Sequence, residues 1–194
     1  MQNILHTERL LLREFTLDDA AFILSLVNTP SWLEFIGDRN IHSIEDAEAY
    51  LKNGPITSYK TNDYGLSAIV LKAIQTPVGM CGLVNRETTD YIDIGFALLP
   101  EYTGKGYAYE IAASTMDYAK NILGIEKVVA ITNANNVSSI KLLNKLGLQF
   151  DKTVSLSVND SALLFSPILS ADDQVKTDAS SQHLNTNLSK SYKK

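Results

Sequence analysis

Two glycines with one residue between them, Gly104 and Gly106, are the residues whose types and spacing point most clearly to chemistry. Glycine has no Cβ atom, so it adopts backbone angles that turn successive N–H groups toward one point, where they bind an oxyanion. Residues 107–123 have helical character, and the partial positive charge of a helix start would face the same point. The sequence therefore predicts a cradle for a phosphate or pyrophosphate group.

Two well-known phosphate-binding motifs do not describe this turn. A dinucleotide fingerprint needs a third glycine at Tyr109 and a βαβ unit early in the chain, whereas this turn lies in mid-chain. A P-loop needs a hydroxyl residue after its lysine to hold magnesium, and Lys105 is followed by Gly106. The alternative is a loop whose glycines only make a turn, because a lone G-x-G is a weak motif.

The composition is typical of a soluble globular protein with one domain. The chain has 194 residues, of which 45% are hydrophobic and 20% charged, enough for one core of ordinary size. A formal charge of -5, without a long Lys/Arg run, disfavours nucleic acid as a partner. Neither a signal pattern nor an apolar run of membrane-spanning length is present, so we expect a cytoplasmic protein with no membrane contact.

The cysteine and histidine residues do not form a pattern of metal ligands. The single cysteine, Cys81, excludes a disulfide framework, and it lies in an apolar stretch where thiolate formation is suppressed. The histidines, His6, His42 and His183, lie in dissimilar contexts. We therefore expect a site without a metal, in which Cys81 packs rather than reacts.

The predicted elements place the glycine turn between a strand and a helix of one α+β domain. Strand patterns occupy residues 9–15, 66–72, 78–84, 91–98, 127–132, 148–156 and 162–165. Helix patterns with capping residues occupy about residues 17–27, 44–53, 108–122 and 137–146. After about residue 169 the chain becomes polar, which predicts a disordered tail over residues 170–194.

This order of elements and two motifs resemble the GNAT superfamily of acetyl-CoA-dependent N-acetyltransferases over residues 7–169. The sequence Pro-Glu-Tyr-x-Gly-Lys-Gly-Tyr-Ala at residues 100–108 is similar to the family's cofactor segment, Gln/Arg-x-x-Gly-x-Gly/Ala. The sequence Asn-x-x-Ser-x-x-x-Leu-x-Lys-x-Gly-Leu at residues 136–148 resembles its second segment. The opening Thr-Glu-Arg-Leu-x-Leu-Arg at residues 7–13 is similar to the branch of Rim-type ribosomal-protein N-terminal acetyltransferases.

The resemblance implies a GNAT fold with a central, mostly antiparallel mixed sheet. Six or seven strands would be flanked by about four or five helices, in a monomer or a homodimer. The fourth and fifth strands, here residues 93–99 and 127–132, would splay apart and admit the pantetheine arm of acetyl-CoA. The acetyltransferase domain would span residues 7–169.

The family's cofactor contacts carry over to the positions that match its motifs. Main-chain groups of the fourth strand would bind the pantetheine arm, and the glycine turn would bind the pyrophosphate. Asn136 would bind the pantetheine or phosphate portion, and Ser139 would lie near the sulfur. The cofactor-binding positions are Phe96, Ala97, Leu98, Thr103, Gly104, Lys105, Gly106, Tyr107, Ala108, Tyr109, Asn136 and Ser139.

Two residues depart from the family's pattern. Thr103 stands where Gln or Arg is usual, so a charge is lost although the hydroxyl can still donate. Leu143 stands where many members carry a tyrosine that is proposed to protonate the departing thiolate. Since a thiol has a pKa of about 8.5, its anion leaves readily enough for Ser139 or water to serve as the donor. The alternative for Ser139 is an ordinary serine on a helix surface.

Acetyl transfer also requires that the acceptor amine lose its proton. Asp93 is the leading candidate for the general base, because it shares one strand face with Gly95 and Ala97, whose small size leaves room for substrate. The alternative is that Asp93 is a strand-end carboxylate, either solvated or paired with an arginine.

The segment at residues 32–39 mixes aromatic and charged side chains without a clear period. It is a candidate for acceptor binding through Trp32, Phe35, Asp38 and Arg39. The alternative is that its aromatic residues cap the core while Asp38 and Arg39 pair at the surface.

Together these features predict an N-acetyltransferase that moves the acetyl group of acetyl-CoA directly to a primary amine. The acceptor would be a protein N-terminal α-amine or a small-molecule amine. A catalytically weak acetyl-CoA-binding regulatory module of the same fold is the alternative, because Thr103 and Leu143 depart from the pattern and the base is uncertain. A different nucleotide-binding enzyme is a third possibility, but it leaves the second motif unexplained.

Overall fold

The computed structural model describes residues 2–86, 90–157 and 160–168, which form an eight-stranded sheet with helices on both faces. The strands are β1 (Asn3–His6), β2 (Leu10–Arg13), β3 (Leu66–Leu71), β4 (Thr76–Asn85), β5 (Ile92–Leu98), β6 (Val128–Thr132), β7 (Leu148–Ser157) and β8 (Asp160–Pro167). The α-helices are α1 (Ala20–Val27), α2 (Pro30–Phe35), α3 (Ile44–Asn53), α4 (Pro55–Asn62), α5 (Tyr107–Asn121) and α6 (Val137–Lys145). The predicted tail at residues 170–194 lies outside the described residues.

The sheet is mixed, and all of its pairings except one are antiparallel. The strand order is β1-β2-β3-β4-β5-β6-β8-β7, in which β5 and β6 form the parallel pair. This confirms the predicted fold class, with eight strands where six or seven were expected. The strand that the sequence patterns did not predict is β1, which pairs with β2 through Leu5 and Leu12.

The parallel pair opens shortly after it begins. Ile92 pairs with Val128 and Asp93 with Val129, but β5 continues to Leu98 and β6 to Thr132. In the described part of the chain, no strand pairs with β5 on this side beyond Asp93. The predicted splay is therefore confirmed, and we call the gap between residues 94–98 and 130–132 the wedge.

Each face of the sheet has its own hydrophobic core. Strand residues alternate between the faces, so Ile69 packs with α5 and α6 whereas its neighbour Val70 packs with α1 and α3. Ile111 and Leu143 are fully buried in the first core, and Ile23 in the second. The wedge is thus bordered by a packed layer of helices on either side of the sheet.

A buried ion pair fixes the start of α1 against β2. Arg13 Nη1 and Nη2 donate to the two carboxylate oxygens of Asp19 at 2.8 and 2.7 Å. The same carboxylate accepts the Thr16 N–H at 2.9 Å, which is half of the capping box predicted for this segment. Each carboxylate oxygen therefore has a charged partner, as burial requires.

Candidate active site

The glycine turn lies directly after the wedge edge of β5. A short 3-10 helix at Pro100–Tyr102 leads into it, and Gly104 and Gly106 have φ angles of +71° and +83°. The first helical bond of α5 joins the Glu110 N–H to the Gly106 carbonyl at 3.1 Å. The N–H groups of residues 107–109 therefore have no acceptor within the helix and remain available to an anion.

Thr103 contributes less to this turn than its hydroxyl suggested. Its N–H and its Oγ1 both donate to the Pro100 carbonyl, at 3.2 and 2.8 Å. The hydroxyl proton therefore closes the 3-10 turn and is not free to donate to a cofactor.

Arg9 contacts the glycine turn from the loop between β1 and β2, although the sequence patterns predicted no role for it. Its Nη1 donates to the Lys105 carbonyl at 3.1 Å, and its Nε donates to Glu110 at 2.7 Å. Arg9 belongs to the motif at residues 7–13, which in the sequence analysis indicated a resemblance to a branch of a family and no contact with the turn. The contact could not be predicted because about a hundred residues separate the partners.

The predicted pantetheine contacts lie along the wedge. Phe96, Ala97 and Leu98 pair on one side with Cys81, Met80 and Gly79 of β4. On the other side the same stretch borders the wedge, where an unpaired strand edge offers main-chain donors and acceptors to an extended ligand.

The start of α6 places Asn136 and Ser139 one helical turn apart. Asn136 Oδ1 accepts the Ser139 N–H at 3.0 Å, so the carbonyl end of this amide caps the helix and its Nδ2 donors remain for a ligand. The Ser139 hydroxyl is half-buried and has no hydrogen-bond partner within the described ranges. Leu143 is buried in the core, where it serves packing.

Asp93 lies where the wedge begins, because it is the last β5 residue that pairs with β6. Its side chain is 2% exposed, and its Oδ1 accepts a hydrogen bond from Arg86 Nε at 2.8 Å. Burial raises the pKa of Asp93, and the charge and hydrogen bond of Arg86 oppose this shift without cancelling it. The arrangement is the arginine pairing that was one of the alternatives for this carboxylate.

The segment at residues 32–39 separates into a core residue and surface residues. Trp32 is 5% exposed and packs in the core shared by α1 and α3, so it does not line a cleft. Phe35 is half-buried, whereas Asp38 and Arg39 are exposed. Asp38 Oδ2 lies 3.8 Å from His42 Nε2, and Asp38 forms no ion pair with Arg39. Packing therefore accounts for Trp32, and an acceptor role stays a prediction for the other three residues.

Arg39 borders a cavity of about 440 Å³ between residues 39–41 and α3. Tyr50 lines the same cavity. Burial raises the pKa of Tyr50, and the positive charges of Arg39 and Arg86 both oppose the shift. Arg39 and Tyr50 therefore line the same cavity, where an acceptor role for Arg39 stays a prediction.

Cys81 lies in β4, where it is fully buried. Its Sγ is 3.6 Å from Thr115 Oγ1, and burial raises the pKa of its thiol to about 12. We expect Cys81→Ala to keep its turnover number within about twofold, because a protonated, buried thiol is not a nucleophile. Steady-state kinetics checks this expectation, and an acetylated Cys81 trapped in the wild-type protein would contradict it.

Neither a metal-ligand cluster nor a membrane-spanning helix occurs in the part of the chain that the structure describes. No group of three or more His, Cys, Asp or Glu side chains is placed to hold a metal ion. Among the same residues, no helix is long and apolar enough to cross a membrane.

Comparison with known proteins gives matches over most of the chain. The family described as "Acetyltransferase (GNAT) domain" matches residues 9–149. The uncharacterized N-acetyltransferase YoaA of Bacillus subtilis is 26% identical over 148 residues, which cover 75% of this chain and 82% of YoaA. The uncharacterized N-acetyltransferase p20 of Bacillus licheniformis is 28% identical over 153 residues, with the same coverage of 75% and 82%.

Solved structures share the fold at low identity. An acetyltransferase from Agrobacterium tumefaciens superimposes with a TM-score of 0.72 at 19% identity, covering 87% of this chain and 95% of that chain. The ribosomal-protein-S5-alanine acetyltransferase of Vibrio fischeri has a TM-score of 0.71 at 19% identity, covering 84% and 95%. These superpositions establish a common fold.

Proposed function

Because the chain belongs to the GNAT acetyltransferase family, we propose that it transfers the acetyl group of acetyl-CoA directly to the nitrogen of a primary amine. The observation that carries this proposal is the glycine turn at the end of the unpaired edge of β5. An extended thioester with a pyrophosphate needs a strand edge followed by an anion site, and this chain offers them in that order.

The donor would lie along the wedge with its pyrophosphate on the glycine turn. Main-chain groups of residues 94–98 would bind the pantetheine arm, and N–H groups of residues 104–109 would bind the pyrophosphate. Asn136 Nδ2 is a further donor at the start of α6, since only its Oδ1 is used by the cap. The main-chain groups of residues 94–98 that face the wedge have no strand partner there, and the N–H groups of residues 107–109 have no acceptor within α5.

The reaction requires one bond to form and one to break at the acetyl carbon. The uncharged amine attacks the thioester carbonyl, a tetrahedral intermediate forms, and the C–S bond then breaks to release CoA thiolate. Asp93 would accept the amine proton at the start of the wedge, either directly or through water. Ser139 would donate a hydrogen bond to the sulfur as negative charge develops there.

We expect Ser139→Ala to lower kcat by about tenfold to hundredfold while the KM for acetyl-CoA changes little. The effect is smaller than that of a typical general acid, because a thiolate with a pKa near 8.5 is a tolerable leaving group. The matched control is Ser138→Ala, which removes an exposed hydroxyl from the same helical turn and should leave kcat unchanged. Equal rates for the two variants would assign Ser139 to the helix surface.

A regulatory module that binds acetyl-CoA with little turnover is the second candidate. Two observations favour this candidate. The Thr103 hydroxyl is used within the turn, and Leu143 fills the core at the position where the family carries a tyrosine. Such a module would keep the cradle and the wedge but would lack an efficient proton donor.

Thiol release from acetyl-CoA across a panel of amines tests both candidates. The panel contains peptide N-termini, polyamines, amino acids and amine-bearing antibiotics, with mass spectrometry to locate the acetyl group. An N-acetylated product formed at a rate well above the reaction without acceptor is the expected result. Tight binding of acetyl-CoA without any acetylated product would favour the module, and failure to bind CoA would contradict both candidates.

A further inference from the structure

Arg9 is held rigidly against the glycine turn from the loop between β1 and β2. Its Nη1 donates to the Lys105 carbonyl at 3.1 Å, and its Nε donates to Glu110 Oε2 at 2.7 Å. The guanidinium carbon lies 4.5 Å from the centroid of the Tyr107 ring. These contacts fix the plane of the guanidinium at the turn and at the first turn of α5.

The remaining nitrogen of Arg9 lies beside Gly106. A Cβ atom built on Gly106 would be 3.4 Å from Arg9 Nη2, which places this nitrogen in contact range of the turn. No acceptor for Nη2 is found among the residues that the structure describes, and the side chain is 43% exposed. Two N–H donors of Nη2 therefore stand unused and accessible beside Gly106.

Glu110 balances the positive charge of Arg9 but does not accept a hydrogen bond from Arg9 Nη2. Its carboxylate already accepts hydrogen bonds from Thr7 Oγ1 at 2.6 Å, Arg9 N at 2.9 Å and Arg9 Nε at 2.7 Å. Burial alone would raise the pKa of Glu110, but these hydrogen bonds and the charge of Arg9 lower it overall. Glu110 therefore stays ionised and orients Arg9 at neutral pH.

The turn lacks the charged side chain that its motif usually provides. Thr103 occupies that position, and its hydroxyl donates to the Pro100 carbonyl. A guanidinium presents paired donors that match phosphate oxygens, which an ammonium or a hydroxyl does not.

We propose that Arg9 binds the pyrophosphate of acetyl-CoA through Nη2 and supplies, from the loop before β2, the charged donor that position 103 lacks. The proposal rests on the proposed function, because it deepens the description of the same cofactor site. Since Glu110 balances its charge, Arg9 would act by directed hydrogen bonds rather than by long-range attraction. Arg9 would therefore discriminate donors that carry a pyrophosphate from those that do not.

Arg9→Met tests this role by calorimetric titration with CoA and with dephospho-CoA. A charge-assisted hydrogen bond of this kind predicts a Kd about tenfold higher for both ligands, since both carry the pyrophosphate. Acetylpantetheine, which carries no pyrophosphate, should show the same kcat/KM with the variant as with the wild type. Lys120→Met is the matched control, because it removes one exposed cation from the opposite end of α5 and should bind CoA like the wild type.

Two further outcomes separate the proposal from its rivals. A crystal structure of the CoA complex in which no pyrophosphate oxygen lies within hydrogen-bond distance of Nη2 would identify Arg9 as a clamp of the turn and overturn the proposal. If Arg9 contacted the 3′-phosphate instead, Arg9→Met would bind dephospho-CoA as tightly as the wild type does, which would also overturn it. Arg9→Lys keeps the charge but loses the paired donors, so it should bind CoA nearly as weakly as Arg9→Met. If the wild type binds CoA and Arg9→Met binds it equally well, only this inference fails, whereas a wild type that does not bind CoA contradicts the proposed function itself.

Discussion

Gly106→Val should weaken acetyl-CoA binding by at least about a hundredfold, measured by calorimetric titration. Gly106 has a φ of +83°, a conformation that costs an L-residue roughly 1–2 kcal/mol and a β-branched residue more. The Cβ atom of the new side chain would also lie 3.4 Å from Arg9 Nη2, in close contact with that side chain. If the backbone rotates to relieve the strain, the N–H groups of the turn no longer converge on one point. If it does not rotate, the valine side chain blocks access of the pyrophosphate to these N–H groups.

Gly124→Val is the matched control for backbone strain. Gly124 follows α5 with a φ of +68°, and a Cβ there would meet nothing within 4 Å. Both variants should lose thermal stability, but Gly124→Val should bind acetyl-CoA like the wild type once it is folded. Wild-type affinity in Gly106→Val would remove the glycine turn from the cofactor site.

Asp93→Asn should lower kcat by about a hundredfold or more near neutral pH, with little change in the Kd for acetyl-CoA. Removal of a general base typically costs a factor of this size, because the amine then depends on water to take its proton. Asparagine keeps the shape of the side chain but cannot accept the proton. Stopped-flow or steady-state thiol release measures the change in rate.

The pH dependence separates this role from a purely structural one. Burial raises the pKa of Asp93 and Arg86 only partly opposes it, so the basic form should appear above the ordinary range of aspartate. The wild-type rate should therefore rise with pH through this raised pKa, and Asp93→Asn should lack that limb. Because the folded state binds the proton more tightly, stability should fall as pH rises from the unfolded to the folded pKa.

Arg86→Met is the complementary variant for the same pair. It removes the positive charge that lowers the pKa of Asp93, so the limb in the rate profile should move to higher pH. Arg86 is 38% exposed, so its loss leaves a smaller packing defect than the loss of a core residue.

An identical pH profile in the wild type and Asp93→Asn would remove Asp93 as the base and leave it as the partner of Arg86.

The sequence patterns predicted the long elements because their apolar periods and caps are local signals. Ser43 caps α3 and Asn136 caps α6, each by accepting the N–H of the residue three positions on. Strand β1 was missed because it has four residues without an alternating pattern. Helix α4 was missed because Gly54 and Pro55 indicate a stop, yet proline is also favoured in the first turn of a new helix.

The candidate site was predictable where it depends on backbone conformation and not where it depends on tertiary contacts. The positive φ values of Gly104 and Gly106 follow from residue type. The partner of Asp93 follows from the register of β4 and β5, which no single strand pattern encodes. Burial of Trp32 depends on helices that pack around it, so the sequence favoured core packing but left a cleft open as the other interpretation.

A crystal structure of the protein with CoA tests the central claim most directly. We predict that the pantetheine arm lies in the wedge against residues 94–98, with the pyrophosphate on the N–H groups of residues 104–109. The sulfur should lie near Ser139, and the face that carries Asp93 should remain open to the amine. CoA bound outside the wedge, or with its pyrophosphate away from Gly104 and Gly106, would contradict the account.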